Sequence, residues 1–171
     1  MERANAWKNS DKIKVFDFAE DYRKFISNCK TERECVIEAV KLAEGFGYRN
    51  LDDIIKNKEE LKAGDKVYAV IMKKSIILIN VGKESLENGL NILGAHIDSP
   101  RIDVKQNPLY EDSDLVLLDT HYYGGLKKYQ WVARELALHG VVAMKDGSII
   151  GVNVGDKPGD PVFCITDLLP H

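Results

Sequence analysis

The sequence predicts an α/β unit followed by a separate all-β unit, and three observations carry that expectation. Two stretches with apolar residues every three or four positions open the chain, and β-branched runs follow from Lys66 to Ile97. After Pro100, short strands divided by turn residues fill the remainder. Near-continuous apolar strands are buried on both faces, so the first unit reads as helices covering a mixed sheet. The change of texture places the boundary at Pro100, with residues 1–100 as the α/β part and residues 101–171 as the β part.

The first helix is read from Phe16, Phe18, Ala19, Tyr22, Phe25, Ile26 and Cys29, whose spacing gathers them on one side of a 3.6-residue repeat. A second begins at Thr31-Glu32-Arg33-Glu34, a capping-box pattern, and runs along Val36, Ala39, Val40 and Ala43 until Gly45 and Gly47 stop it. Leu51 to Leu61 mixes apolar and charged residues and suits one or two short helical turns. The runs Val67–Met72 and Ile76–Val81, split by Lys73-Lys74-Ser75, read as a hairpin, and Leu90–Ile97 as a further buried strand. Beyond Pro100 the expected strands lie at Val104, Leu115–Leu118, Leu136–Met144, Ile149–Val154 and Val162–Ile165, with Lys145-Asp146-Gly147-Ser148 as a hairpin turn.

Composition narrows the partners. The 171 residues contain 44% hydrophobic and 30% charged side chains, an ordinary globular balance. With 24 Lys plus Arg against 27 Asp plus Glu, the net charge of −3 offers no electrostatic reason to bind nucleic acid or an anionic membrane. The opening Met1-Glu2-Arg3-Ala4-Asn5-Ala6-Trp7-Lys8 lacks the apolar core of a secretory signal, and no apolar run approaches the roughly 18 residues of a bilayer span. A cytoplasmic protein is expected. Cys29, Cys35 and Cys164 form no C-x-x-C pair and read as reduced thiols. Gly124-Gly125 belongs to no phosphate-binding pattern, and no G-x-S-x-G nucleophile context occurs.

Chemistry concentrates in Asn91-Ile92-Leu93-Gly94-Ala95-His96-Ile97-Asp98-Ser99-Pro100. On a strand, side chains alternate between faces, so His96 and Asp98 are expected to project together. A metal-binding imidazole needs its second nitrogen oriented by an acceptor, and a neighbouring carboxylate serves. The pair alone also suits a hydrogen-bonded strand end.

Longer blocks add to it: Gly94-Ala95-His96-Ile97-Asp98-Ser99-Pro100-Arg101, Asn107-Pro108-Leu109-Tyr110, Thr120-His121-Tyr122-Tyr123-Gly124-Gly125-Leu126-Lys127-Lys128-Tyr129-Gln130-Trp131, and Leu136-Ala137-Leu138-His139-Gly140-Val141-Val142 before the Asp146-Gly147 turn. Taken in order, these blocks make the chain resemble the N-terminal part of the M18 metallo-aminopeptidases, in their bacterial, clostridial-type branch. The resemblance implies part of a three-layer zinc-peptidase catalytic domain, helices over a mixed sheet, followed by the start of an inserted all-β dimerisation domain. It implies two zinc ions per subunit, a peptide substrate and a homo-oligomer, the dimer being the building block of a tetrahedral dodecamer. His96 would ligate one zinc, and Asp98 would be the partner that holds its ring. His171 would match a histidine that reaches a neighbouring subunit's active site and stabilises an oxyanion there.

The family's bridging Asp, paired Glu residues, further Asp and distal His find no counterpart in these residues. A zinc site takes three or four protein ligands. The expectation is an amino-terminal part of a longer aminopeptidase, inactive as an isolated 171-residue chain. Two alternatives stand beside it: a non-catalytic assembly or binding module on the same fold, and another two-metal peptidase family with an H-x-D strand, against which Ser99-Pro100 and the tyrosine block argue. His121 and His139 read as structural histidines. Tyr122, Tyr123, Tyr129 and Trp131 read as subunit-interface residues, with a substrate pocket as the alternative. The preferred N-terminal residue of a substrate is not legible.

Overall fold

A computed structural model describes residues 6–167, and the chain divides into two compact units, Met1–Ile97 and Asp98–His171. The first is mixed α/β. A short helix, α1 (Ala6–Asn9), precedes α2 (Lys12–Asn28), which starts four residues before the expected apolar stripe because Asp11 caps it, accepting from the Ile13 and Lys14 amides. Next comes α3 (Glu32–Gly45) with the expected reciprocal cap: Thr31 Oγ1 accepts from the Glu34 amide at 3.3 Å while Glu34 accepts from the Thr31 amide at 2.9 Å. Thr31→Ala should therefore lower the stability of this unit by about 1 kcal/mol, with Thr31→Asn near neutral; a melting curve unmoved by the alanine would contradict the role of the cap.

After α3 come a two-residue strand β1 (Arg49–Asn50) and α4 (Leu51–Asn57), capped by Asn50. Then β2 (Lys66–Ile71) and β3 (Ser75–Asn80) form the expected antiparallel hairpin, and β1 pairs with β2 in parallel to give the order β1-β2-β3. The hairpin turn places Met72 and Lys73 at φ 54° and 58° without a glycine. The buried core is small: Cys29, Val36, Ala43, Ile54, Val67 and Tyr68. It lies where α3 and α4 rest against β2. The Tyr68 hydroxyl meets Glu44 of α3 at 2.7 Å, and that bond, with burial, raises the phenol above its ordinary range.

Two expectations for this unit fail. Leu90–Ile97 is not a strand: the residues pair in no ladder, and Leu90, Ile92 and Leu93 are 65%, 80% and 101% exposed. A strand exists only through the neighbour that takes its N–H and C=O groups, and no described strand pairs with this segment. Burial on both faces also fails for β3, whose Ile77 and Leu78 are each about half exposed, whereas Val67 and Tyr68 on β2 are both buried. A similar exposure marks α2, where Phe16, Phe18 and Tyr22 face solvent.

The second unit is all β. A long hairpin pairs β4 (Arg101–Asp112) with β5 (Leu115–Tyr123), interrupted by a register shift between Val104 and Leu109 that spans Pro108. Its turn is Ser113-Asp114, both left-handed at φ 52° and 60°. A second hairpin pairs β6 (Leu138–Ala143) with β7 (Ile149–Val154) across the expected Asp146-Gly147 turn, with Ser148 bonded to Asp146 through both its amide and its hydroxyl. Residues 162–165 make isolated bridges, Phe163 with Leu136 and Ile165 with Val132, in place of the expected strand. No described residue of this unit is fully buried.

Much apolar surface is consequently left uncovered.

The cysteines differ in environment: Cys29 is buried, Cys35 half-buried and Cys164 exposed. Burial, then the adjacent Cys35, pushes the Cys29 thiol up to about 11. Since the thiolate is the nucleophile, iodoacetamide at pH 8 should modify Cys164 first and Cys29 more than about tenfold later. Equal rates by peptide mass mapping would contradict this burial.

Candidate metal centre

His96 sits in the ladder-free segment at the end of the first unit, and it is exposed. Asp98, half-buried, opens the second unit. Strand alternation is not what positions the two, because alternation belongs to a paired strand and no described strand pairs with this segment. His171 lies outside the described residues.

What holds Asp98 is the β4–β5 hairpin. Arg101, at the start of β4, is directly paired with Tyr123, at the end of β5. Paired residues share a face of the sheet, so the Arg101 guanidinium lies over the Tyr123 ring, 4.2 Å from its centroid. Arg101 Nε also donates to Asp103 Oδ1 at 2.7 Å, two residues along the same face. The Tyr123 hydroxyl then donates to Asp98 Oδ2 at 3.0 Å. Asp103, Arg101, Tyr123 and Asp98 thus form one chain of charged and polar contacts. The sequence reads Tyr123 as an interface residue and gives Arg101 no role, because the contact depends on the pairing register of β4 with β5.

The other histidines are accounted for locally. His121 on β5 places Nδ1 3.4 Å from the Tyr122 carbonyl. His139 on β6 is nearly enclosed and sets Nε2 3.1 Å from Asp156 Oδ2. Two hollows among the described residues are lined by neither His96 nor Asp98. One, about 420 Å³, lies in the first unit along Leu42, Phe46, Tyr48 and Leu78; the other, about 160 Å³, lies in the second along Ile102, Tyr122, Leu126, Lys128 and Trp131.

Among the described residues no three His, Cys, Asp or Glu side chains converge on a common point. An exposed imidazole is a donor that zinc accepts, and the exposed His96 is compatible with one corner of a zinc shell. Among the described residues no helix is long and apolar enough to cross a membrane.

Comparison with known proteins gives a consistent picture. The model of the aminopeptidase I zinc metalloprotease family (M18) matches residues 25–171. A probable M18 family aminopeptidase 1 from Clostridium acetobutylicum is 58% identical over 173 residues, covering 99% of this chain and 37% of the relative. Among solved structures, aminopeptidase I from the same organism superposes with TM-score 0.81 at 55% identity, covering 100% of this chain and 38% of that one. The M18 aminopeptidase from Thermotoga maritima gives TM-score 0.87 at 44% identity, covering 100% and 37%. The chain spans a little over a third of the length of these relatives, and its α/β fold is that of the corresponding part of them.

Proposed function

We propose that this chain, which belongs to the aminopeptidase I (M18) zinc metalloprotease family, contributes one zinc-ligating imidazole and the carboxylate that orients it to an enzyme removing N-terminal residues from peptides. The observation that carries this reading is the 58% identity over 99% of the chain with a relative named as an aminopeptidase. Because the chain spans 37% of that relative, activity, substrate and assembly are read for the whole protein that carries these residues.

In this reading His96 ligates one of two zinc ions. Asp98 orients the ring and raises its basicity as a ligand. His171 supports an oxyanion in a neighbouring subunit. Zinc, when bound, polarises the scissile carbonyl and lowers the pKa of a coordinated water. Residues 1–100 belong to the catalytic domain and residues 101–171 to the dimerisation domain of a homo-oligomer. The uncovered apolar faces of β5 and of the Tyr122–Trp131 block suit burial against a second copy.

The test is metal removal and return. The whole protein, stripped with a chelator, should stop releasing N-terminal residues from short peptides and should regain activity with zinc. The 171-residue chain by itself should release none, since its described residues gather no complete ligand set. Release that survives chelation, or release by the isolated chain, would overturn the reading.

A further inference from the structure

Resting on that reading of His96 and Asp98, we infer that Tyr123 is a positioning residue for the metal site, its hydroxyl holding the Asp98 carboxylate that orients the His96 ring. The hydroxyl donates to Asp98 Oδ2 at 3.0 Å. A phenol that donates to an ionised carboxylate makes a charge-assisted bond, stronger and more directional than a neutral one. The ring carrying that hydroxyl is itself held. Arg101 lies against its face at 4.2 Å and is tied to Asp103 at 2.7 Å, while the ladder pairs Arg101 with Tyr123 across β4 and β5.

The backbone adds a second restraint. Gly124 follows Tyr123 at φ 76°, and a Cβ built there would stand 3.5 Å from both Cα and Cγ of Pro100. The chain leaving β5 therefore runs directly along Ser99-Pro100, the residues that follow Asp98. Hydroxyl and carboxylate are brought together by the hairpin and not by chance contact of two long side chains.

An orienting carboxylate acts only if its own rotation is stopped. Outer partners of metal-ligating histidines carry about 10–100-fold in metal affinity. Tyr123 acts one step further out, so the lower end of that range applies.

The experiment is a double-mutant cycle in the whole protein, read as zinc affinity by competition with a chromophoric chelator, with thermal melting alongside. Tyr123→Phe keeps the ring beneath Arg101 and removes only the hydroxyl. The expected result is about tenfold weaker zinc binding for Tyr123→Phe with an unchanged melting temperature, a larger loss for Asp98→Asn, and no further loss when the two are combined. If Asp98→Asn weakens zinc binding and Tyr123→Phe does not, the role of Tyr123 is overturned while the metal reading stands. Losses that simply add in the double variant also overturn it, since a general destabilisation acts equally with or without the Asp98 carboxylate. If Asp98→Asn leaves zinc affinity unchanged, the role of Asp98 fails and that of Tyr123 falls with it.

Discussion

Replacing His96 with alanine is expected to abolish the peptidase activity of the whole protein, by about a thousandfold or more, without unfolding it. A metal supplies several kcal/mol of charge stabilisation in the transition state, and each 1.36 kcal/mol is about a tenfold change in rate. Loss of one of three or four donors should weaken zinc binding beyond the roughly 10–100-fold that outer partners carry. The structural cost should be slight, because His96 is exposed in a segment without a ladder and contributes to no buried core. Zinc content, rate and melting temperature measured together decide the matter. A full zinc complement and undiminished rate in His96→Ala would remove this residue from the metal site, whatever the family.

Val67→Asp is expected to have the largest effect on folding. Val67 is 0% exposed, on β2, paired with Arg49 of β1 on one side and Ile79 of β3 on the other. Among the described residues only five others are buried, all of them in the same unit: Cys29, Val36, Ala43, Ile54 and Tyr68. A carboxylate placed among them has no cation to pair with in the core and loses its hydration, at a cost of several kcal/mol. Domains are stable by about 5–15 kcal/mol in total. The first unit should therefore lose its cooperative melting transition, while Val67→Ala, which leaves only a cavity, should cost about 2 kcal/mol. Circular dichroism during heating separates the two, and a Val67→Asp melt within a few degrees of the parent would refute the placement of the core.

The elements that were legible share a physical character. The Thr31–Glu34 cap, the β2–β3 hairpin and the Asp146-Gly147 turn are fixed by contacts within a few residues, so their signals lie in adjacent letters. Failures arose wherever a neighbour distant in sequence was needed. Leu90–Ile97 has the composition of a buried strand, yet hydrophobicity states only that a segment prefers cover, not which residues provide it. The β4–β5 turn was missed for a different reason: Ser113-Asp114 reaches the left-handed region without glycine, through a carboxylate residue that tolerates it.

The candidate site divides along the same line. The letters alone present an imidazole and a carboxylate two positions apart, and the resemblance carried by the longer blocks points to the zinc metalloprotease family that the comparison shows, because local order and motif content are written directly in the chain. Only the tertiary structure decided that Tyr123 and Arg101 stand behind Asp98. The register of β4 with β5 pairs Arg101 with Tyr123 and so sets the Tyr123 hydroxyl against Asp98, 25 positions away, and register follows from the summed pairing of two whole strands, which no single residue encodes.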